Sequence, residues 1–428
     1  MLARWRSWAL PRRLRAAVVP MRLRSACVAA LLGVVALLGS AGLVLLRGDA
    51  WRGQTVVPLS QTAKGSGSLV TAPLCDTDIS GDGAIPEHGG QGEASIAFFV
   101  QGTRGDVRRI QRLVRRLWHA DNLYIVNLDG KASSKERTLL QSWVESPRRH
   151  SNILLLDPPV RVTYRGFSMV LATLRAMAVA LEHPRWTHFI NVSATCYPML
   201  SPDVMRRALA TAPEGASFVH NQNLERPDVD GSRWFRRDRF QKVWIDNGIA
   251  GTGNASLADP LHVADRSLPA EWQLLKGEAW ICAHRNLVTY AIAGSDGLSR
   301  HMQAWMVNTV SSPESFFQML ACNSPRMNST VAGRTLWHVP WPRDGSASQH
   351  APIVQAQDVV HAASKGHFFV RKVRDPSVAD LIDRTVLRLP GAAAGAAQPR
   401  GSAAYHEERL QRATDFLARA AETGCDLL

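Results

Sequence analysis

The chain has 428 residues, with 50 Lys and Arg against 36 Asp and Glu and a formal net charge of +14. That length accommodates one large domain with attachments, or two modest ones. So basic a chain raises nucleic-acid binding, but its arginines are scattered beyond an N-terminal cluster and no RNA- or DNA-reading motif accompanies them, so nucleic acid is not an expected partner.

Seven arginines, from Arg4 to Arg24, precede an uncharged apolar run over 25–46. About 20 apolar residues span the roughly 30 Å hydrocarbon core of a bilayer, whereas a cleaved signal peptide has an apolar stretch of about 7–15. The positive flank stays cytoplasmic and sends the rest to a lumen. The expectation is a basic cytoplasmic tail over 1–24, a single transmembrane signal anchor over 25–46 and a type II orientation. Residues 47–94, rich in Gly, Ser, Thr and Pro, cannot bury a core and read as a flexible stem. Beyond the anchor, Cys75, Cys196, Cys282, Cys322 and Cys425 make an odd number, so at least one stays free or pairs between chains. No CxxC pair marks a zinc or redox site. Sequons begin at Asn191, Asn254 and Asn328, although Asn191 sits in an apolar strand too buried for a glycan.

A packed pattern begins at 95. SIAFFVQ (95–101), NLYIVNLD (122–129), ILLL (153–156) and THFINVS (187–193) read as buried strands. Between them the spacing predicts helices: one after Asp106 with Ile110, Leu113, Val114 and Leu117 on one face, one around 133–146, and one over 167–182. Ser201-Pro202-Asp203 is a helix start. Strands alternating with helices imply a mostly parallel α/β sheet of nucleotide-binding type, with ligands beyond the carboxyl ends of the strands. That rim holds Gly102–Asp106, Asp129 and Ser193–Tyr197. Further helices are expected at 285–310 and 313–321, a low-complexity stretch at 391–404, and a short helix of unassigned role at 405–420.

Two D-x-D tripeptides could hold a divalent cation on a diphosphate. Asp76 and Asp78 lie in the stem; Asp228 and Asp230 stand between Pro227 and Gly231, which favours a plain turn. Without a metal, a departing diphosphate still needs positive charge, and Lys365 and the Arg371-Lys372 pair after the apolar FFV are candidates. Glu314 in SSPESFFQML follows a proline at a helix start, where it either favours the helix dipole or accepts a proton from an attacking hydroxyl.

Six stretches in order carry a resemblance: IAFFVQGTRGDVRRIQRLVRRLWHADNLYIVNLDGKA, RVTYRGFSMVLATLRAMAVAL, WTHFINVSATCYPMLS, LLKGEAWICAHRNLVTYAI, SSPESFFQMLACNSP and HFFVRKV. Over roughly 95–388 the chain resembles the core-2/I-branching glycosyltransferases (glycosyltransferase family 14), which include peptide-O-xylosyltransferases and a plant β-glucuronosyltransferase branch. VTYRG, GSDGL, SSPE with FFQ, CNS and LWHVPW look most like the plant branch.

The resemblance implies a GT-A-type, Rossmann-like nucleotide-sugar domain over 95–390 and a single inverting displacement that needs no divalent metal or other cofactor. It implies a UDP-sugar donor, with Asp129 contacting the uracil end, Tyr164 lying along the nucleotide, Glu314 as base, and Arg371 and Lys372 neutralising the diphosphate. Trp234, Asp246 and Trp341 match positions on the acceptor side. The implied partner is a glycan or glycoprotein acceptor in the Golgi lumen, with glucuronic acid the first expectation for the sugar and N-acetylglucosamine or xylose the alternatives. The basic loop of Arg233, Arg236, Arg237, Arg239 and Lys242 could suit an anionic ligand, although such loops are more often a solvated face. Cys196 stands where relatives usually have Asp, and Glu278-Ala279 replaces a small-residue pattern before Trp280. The first departure motivates an alternative, an inactive Golgi membrane protein that keeps the fold for binding, and would leave a thiol open to alkylation at the rim.

Overall fold

A continuous apolar strand needs cover on both faces, and the first half of the domain supplies it. In a computed structural model the described residues are 94–146, 151–226, 238–246, 261–342, 350–389 and 402–426. The tail, anchor and stem expected over 1–94 therefore lie outside the described residues except for Ala94, as do Asp76, Asp78, Asp228, Asp230, Arg233, Trp234, Arg236 and Arg237. No helix among the described residues is long and apolar enough to cross a membrane.

The alternation begins with β1 (Ile96–Gly102), α1 (Val107–Leu117), β2 (Leu123–Leu128), α2 (Ser134–Val144), β3 (Ile153–Leu155), α3 (Ser168–Leu181) and β4 (His188–Ser193). Phe98 and Val100 of β1 share one core with Ile110, Leu113 and Leu117 of α1. Ala97 and Phe99 share the opposite core with Val170, Ala176 and Met177 of α3. The elements match the sequence expectation to within a residue or two, and helix ends are fixed locally. Ser133 and Glu136 close a reciprocal capping box on α2. Ser201 accepts from Val204 N at the start of α4 (Pro202–Ala210), which has proline in its first turn.

With β5 (Ser217–Phe218), β6 (Cys282–His284) and β7 (Val331–Ala332), the main sheet runs β7-β5-β6-β4-β1-β2-β3. β1 to β4 are parallel, whereas β6 is antiparallel to both β4 and β5. The β7–β5 pairing is parallel as well, so the sheet is mixed but mostly parallel, as expected, with β6 the one strand of the seven that runs against the others. A small second sheet joins Trp337–His338, Phe369–Val370 and Tyr197–Pro198, placing Arg371 and Lys372 directly after an ordered strand.

Two expected helices divide. Residues 285–310 form α5 (Arg285–Ala293) and α6 (Leu298–Met306), separated by a turn containing Gly294 and Gly297. Residues 313–321 become a 3-10 turn, Ser312–Glu314, followed by α7 (Phe316–Cys322). After α8 (Ala356–Ser364) and α9 (Pro376–Thr385), the C-terminal helix α10 (Ala403–Ala421) is no appendage. It packs on α4, and its Ala413, Leu417 and Ala420 enter the core that holds Phe98. Cys425 beyond it is disulfide-bonded to Cys322 at the end of α7. The sequence boundary at 390 thus cuts through a shared core.

The Cys322–Cys425 bond closes a 103-residue separation, and removing such a bond costs about 2–4 kcal/mol. Cys425→Ser should lower the denaturant midpoint accordingly in an equilibrium titration; an unchanged midpoint would remove the bond from the stability account.

Candidate functional site

The carboxyl ends of β1, β2 and β4 open into a cavity of about 1300 Å³, closed on the other side by the 276–280 segment, the Ser312–Glu314 turn and residues 371–374. It collects Asp129, Tyr164, Glu314, Trp341, Arg371 and Lys372, six of the residues singled out in the sequence. Ten Lys or Arg residues line it against four Asp or Glu, so its field favours an anionic ligand.

Asp129 follows β2 and is buried, with both carboxylate oxygens held by Lys131: the backbone N–H donates to Oδ1 at 2.8 Å and Nζ lies 2.7 Å from Oδ2. Lys131 Nζ also donates to the Val162 carbonyl, which ties the end of β2 to the loop before α3. Tyr164 on that loop is 53% exposed, its hydroxyl 3.1 Å from His350 Nδ1.

Next to Tyr164 is a strained clasp. Arg165 (φ 62°) and Ser311 (φ 55°) both adopt the left-handed conformation that disfavours L side chains. Ser311 N–H donates to the Arg165 carbonyl at 2.7 Å, and Arg165 Nε donates to Ser311 Oγ at 3.1 Å. Such backbone costs about 1–3 kcal/mol per residue and persists where its surroundings fix it. Glu314 N–H bonds the Ser311 carbonyl at 2.9 Å, and the Glu314 carbonyl accepts from Gly277 N–H at 2.7 Å. A Cβ on Gly277 would sit 1.8 Å from the His220 carbonyl oxygen, so only glycine allows that approach.

Glu314 is consequently on a 3-10 turn and not the first turn of an α-helix, which weakens the dipole reading. Its carboxylate, 51% exposed, lines the cavity with Oε2 3.5 Å from Nη1 of Arg239. Arg239, grouped in the sequence with a solvated basic loop, is buried at 1% side-chain exposure. Lys242 of the same loop is the conventional case, half-buried and 3.2 Å from Asp238.

Arg371 stacks its guanidinium 5.0 Å from the Trp280 ring centre. Its Nε is buried and meets no acceptor among the described residues. Burial, and then repulsion from Arg371 and Arg374, pushes the Lys372 amine below its ordinary range, partly offset by Cys196. An anion between these cations relieves both effects. Lys365 is exposed at the end of α8 and does not line the cavity.

Glu278 is a further carboxylate in the cavity, noticed in the sequence only as a departure. Thr335 Oγ1 donates to its Oε2 at 3.2 Å. Burial pushes its carboxyl up; Arg371 and the Thr335 bond pull it down, and Glu314 adds to the upward push.

Two expected placements change. Asp246 is buried and does not line the cavity: its Oδ2 accepts from Ser168 N–H at 2.7 Å, at the start of α3. A Cβ on Gly166 would stand 2.2 Å from that oxygen, so the carboxylate is wedged behind the Tyr164–Arg165 loop. Cys196 is fully buried, 3.4 Å from Ser193 Oγ, not a thiol on the rim, and burial pushes it up. Asn191 is buried as expected, bonding the Ala279 carbonyl and Ile281 N–H through its side chain. Among the described residues no cluster of three or more His, Cys, Asp or Glu forms a metal-ligand group.

Comparison with known proteins adds a family to this geometry. The chain is 29% identical over 342 residues to beta-glucuronosyltransferase GlcAT14A of Arabidopsis thaliana, covering 78% of this chain and 72% of that one. It is 31% identical over 299 residues to GlcAT14B of the same plant, covering 68% and 66%. Human xylosyltransferase 1 is 25% identical over 263 residues, 60% of this chain and 25% of that protein. Among solved structures it is similar to apo mouse xyloside xylosyltransferase 1, at a TM-score of 0.30 and 9% identity, covering 63% of this chain and 93% of that one. The Core-2/I-Branching enzyme family model matches residues 96–362. With that match spanning more than half of its length, the chain belongs to the core-2/I-branching glycosyltransferases.

Proposed function

We propose that the chain moves a sugar from a UDP-sugar to a glycan or glycoprotein hydroxyl by a single inverting displacement, with Glu314 as base and Arg371 and Lys372 receiving the diphosphate. The observation that carries this reading is that the Glu314 carboxylate and the adjacent cations Arg371 and Lys372 line one cavity. The acceptor hydroxyl gives its proton to Glu314 and its oxygen bonds to the anomeric carbon from the face opposite UDP. The anomeric carbon–oxygen bond to the diphosphate breaks, and the negative charge developing on UDP meets Arg371 and Lys372. Asp129 and Tyr164 would hold the nucleotide and Trp341 the acceptor, as the family resemblance implies for those positions.

The donor sugar of this reading is glucuronic acid, as the names of the plant relatives suggest and the surplus of cations supports. Glu278 favours a second reading, an uncharged sugar such as xylose or N-acetylglucosamine, because a carboxylate there disfavours a sugar acid. The reading also places the enzyme in the Golgi as a type II membrane protein, supported by the apolar run over 25–46 and by a disulfide, which forms in oxidising compartments.

Glu314→Gln should lower kcat by about 10²–10⁴-fold while UDP affinity stays near wild type by calorimetry; full activity in that variant would remove Glu314 from the mechanism. Arg371→Ala should weaken UDP binding by about 10–100-fold, and Glu278→Gln should tighten it by about threefold or more by removing a nearby negative charge. Equal UDP affinity in wild type and both variants would place the diphosphate elsewhere. Undiminished turnover in excess chelator is the expected outcome of a metal-free displacement, and a luminescent UDP-release screen across UDP-sugars decides between the two donor readings.

A further inference from the structure

The cavity contains a charged contact at the proposed base that the displacement above does not use. Arg239 sits on the short helical turn Arg239–Gln241 with its side chain 1% exposed, and Nη1 reaches Glu314 Oε2 at 3.5 Å and Ser315 Oγ at 3.5 Å. A guanidinium held away from water is costly unless an anion faces it. The Glu314 carboxylate, on the turn that precedes α7, faces it within salt-bridge distance.

We infer that Arg239 is a positioning residue for the proposed base: it holds the Glu314 carboxylate toward the acceptor and keeps it ionised under mildly acidic conditions. The inference rests on Glu314 being the base. Three other charged groups act on this pair. Arg165, from the loop before α3, repels Arg239 across the clasp with Ser311. Glu278, from the segment after Leu275–Lys276, repels Glu314. Arg371, after the Phe369–Val370 strand, attracts Glu278 and blunts that repulsion. Arg239 is the one cation within salt-bridge distance of Glu314 among the described residues.

A base paired with a buried cation stays deprotonated to lower pH, at some loss of basicity. Removing Arg239 makes ionisation of Glu314 less favourable, so its affinity for a proton rises. The acid limb of the kcat/KM profile then moves to higher pH, and activity is lost preferentially on the acid side. The protein is asked only to protect the ionised base; the acceptor proton still passes to Glu314 and then to solvent, while Arg239 keeps its own charge throughout.

The test is the pH profile of kcat/KM for the wild-type protein, Arg239→Met, Arg239→Gln and Arg239→Lys, with UDP affinity and thermal unfolding measured for each. Loss of the guanidinium should move the acid limb up by about one pH unit, a roughly tenfold loss on that limb, with UDP affinity near wild type. Lysine should restore most of the limb's position. The glutamine variant keeps the measurement available if the methionine variant does not fold. A uniform loss at every pH, with the limb unmoved, would reduce Arg239 to a structural residue and overturn the inference. Glu314→Gln separates the two failures: if that variant is active the base reading falls and takes this one with it, whereas an inactive Glu314→Gln beside an unmoved limb sinks this inference alone.

Discussion

Burying β1 and β4 on both faces is the constraint from which the site follows. A strand covered by α1 on one side and α3 on the other has its own end as the place where backbone and side chains can meet a ligand. Because β1, β2 and β4 are parallel, those ends coincide, and Gly102–Asp106, Asp129 and Ser193–Thr195 fall on one rim. The antiparallel β6 and the small sheet beside it raise the opposite wall, with Trp280, Arg371 and Lys372. The walls converge in space from segments more than 200 residues apart.

Between the walls, geometry and charge reinforce each other. The Arg165–Ser311 clasp uses two unfavourable backbone conformations to hold the Glu314 turn, and the bond from Gly277 N–H fixes it from the other side. Arg239 and Glu278 then act on the Glu314 carboxylate with opposite sign. The carboxylate proposed as base thus stands between a buried cation and another carboxylate.

How much of this was legible in the sequence depended on the range of the forces involved. Strands with continuous apolar runs and helices with a periodic apolar face were readable to within a residue or two, because local pattern and burial agree there. Glu314, Asp129, Tyr164 and the Arg371-Lys372 pair could be chosen through motif order, and all line the cavity. Arg239 could not, since an arginine among arginines carries no local sign that tertiary packing will bury it. Nor does a family position reveal that the Asp246 carboxylate is buried against the Ser168 N–H behind a loop. Lys131 had a faint signal, two residues after Asp129, where a turn brings its amine onto that carboxylate. The C-terminal helix gave an amphipathic pattern but no hint of its partner, which is α4, some 200 residues earlier.

The disulfide gives that last contact a covalent counterpart. Cys322 ends the helix that follows the Glu314 turn, and Cys425 lies beyond α10. A single nick anywhere between them leaves both pieces on one covalent skeleton. Such a cut protein would migrate as a single species until a reductant is added, and its fragments would stay in register through the shared core. Backbone continuity and structural continuity are thus separate properties over that stretch, and a protease can sever the first without touching the second.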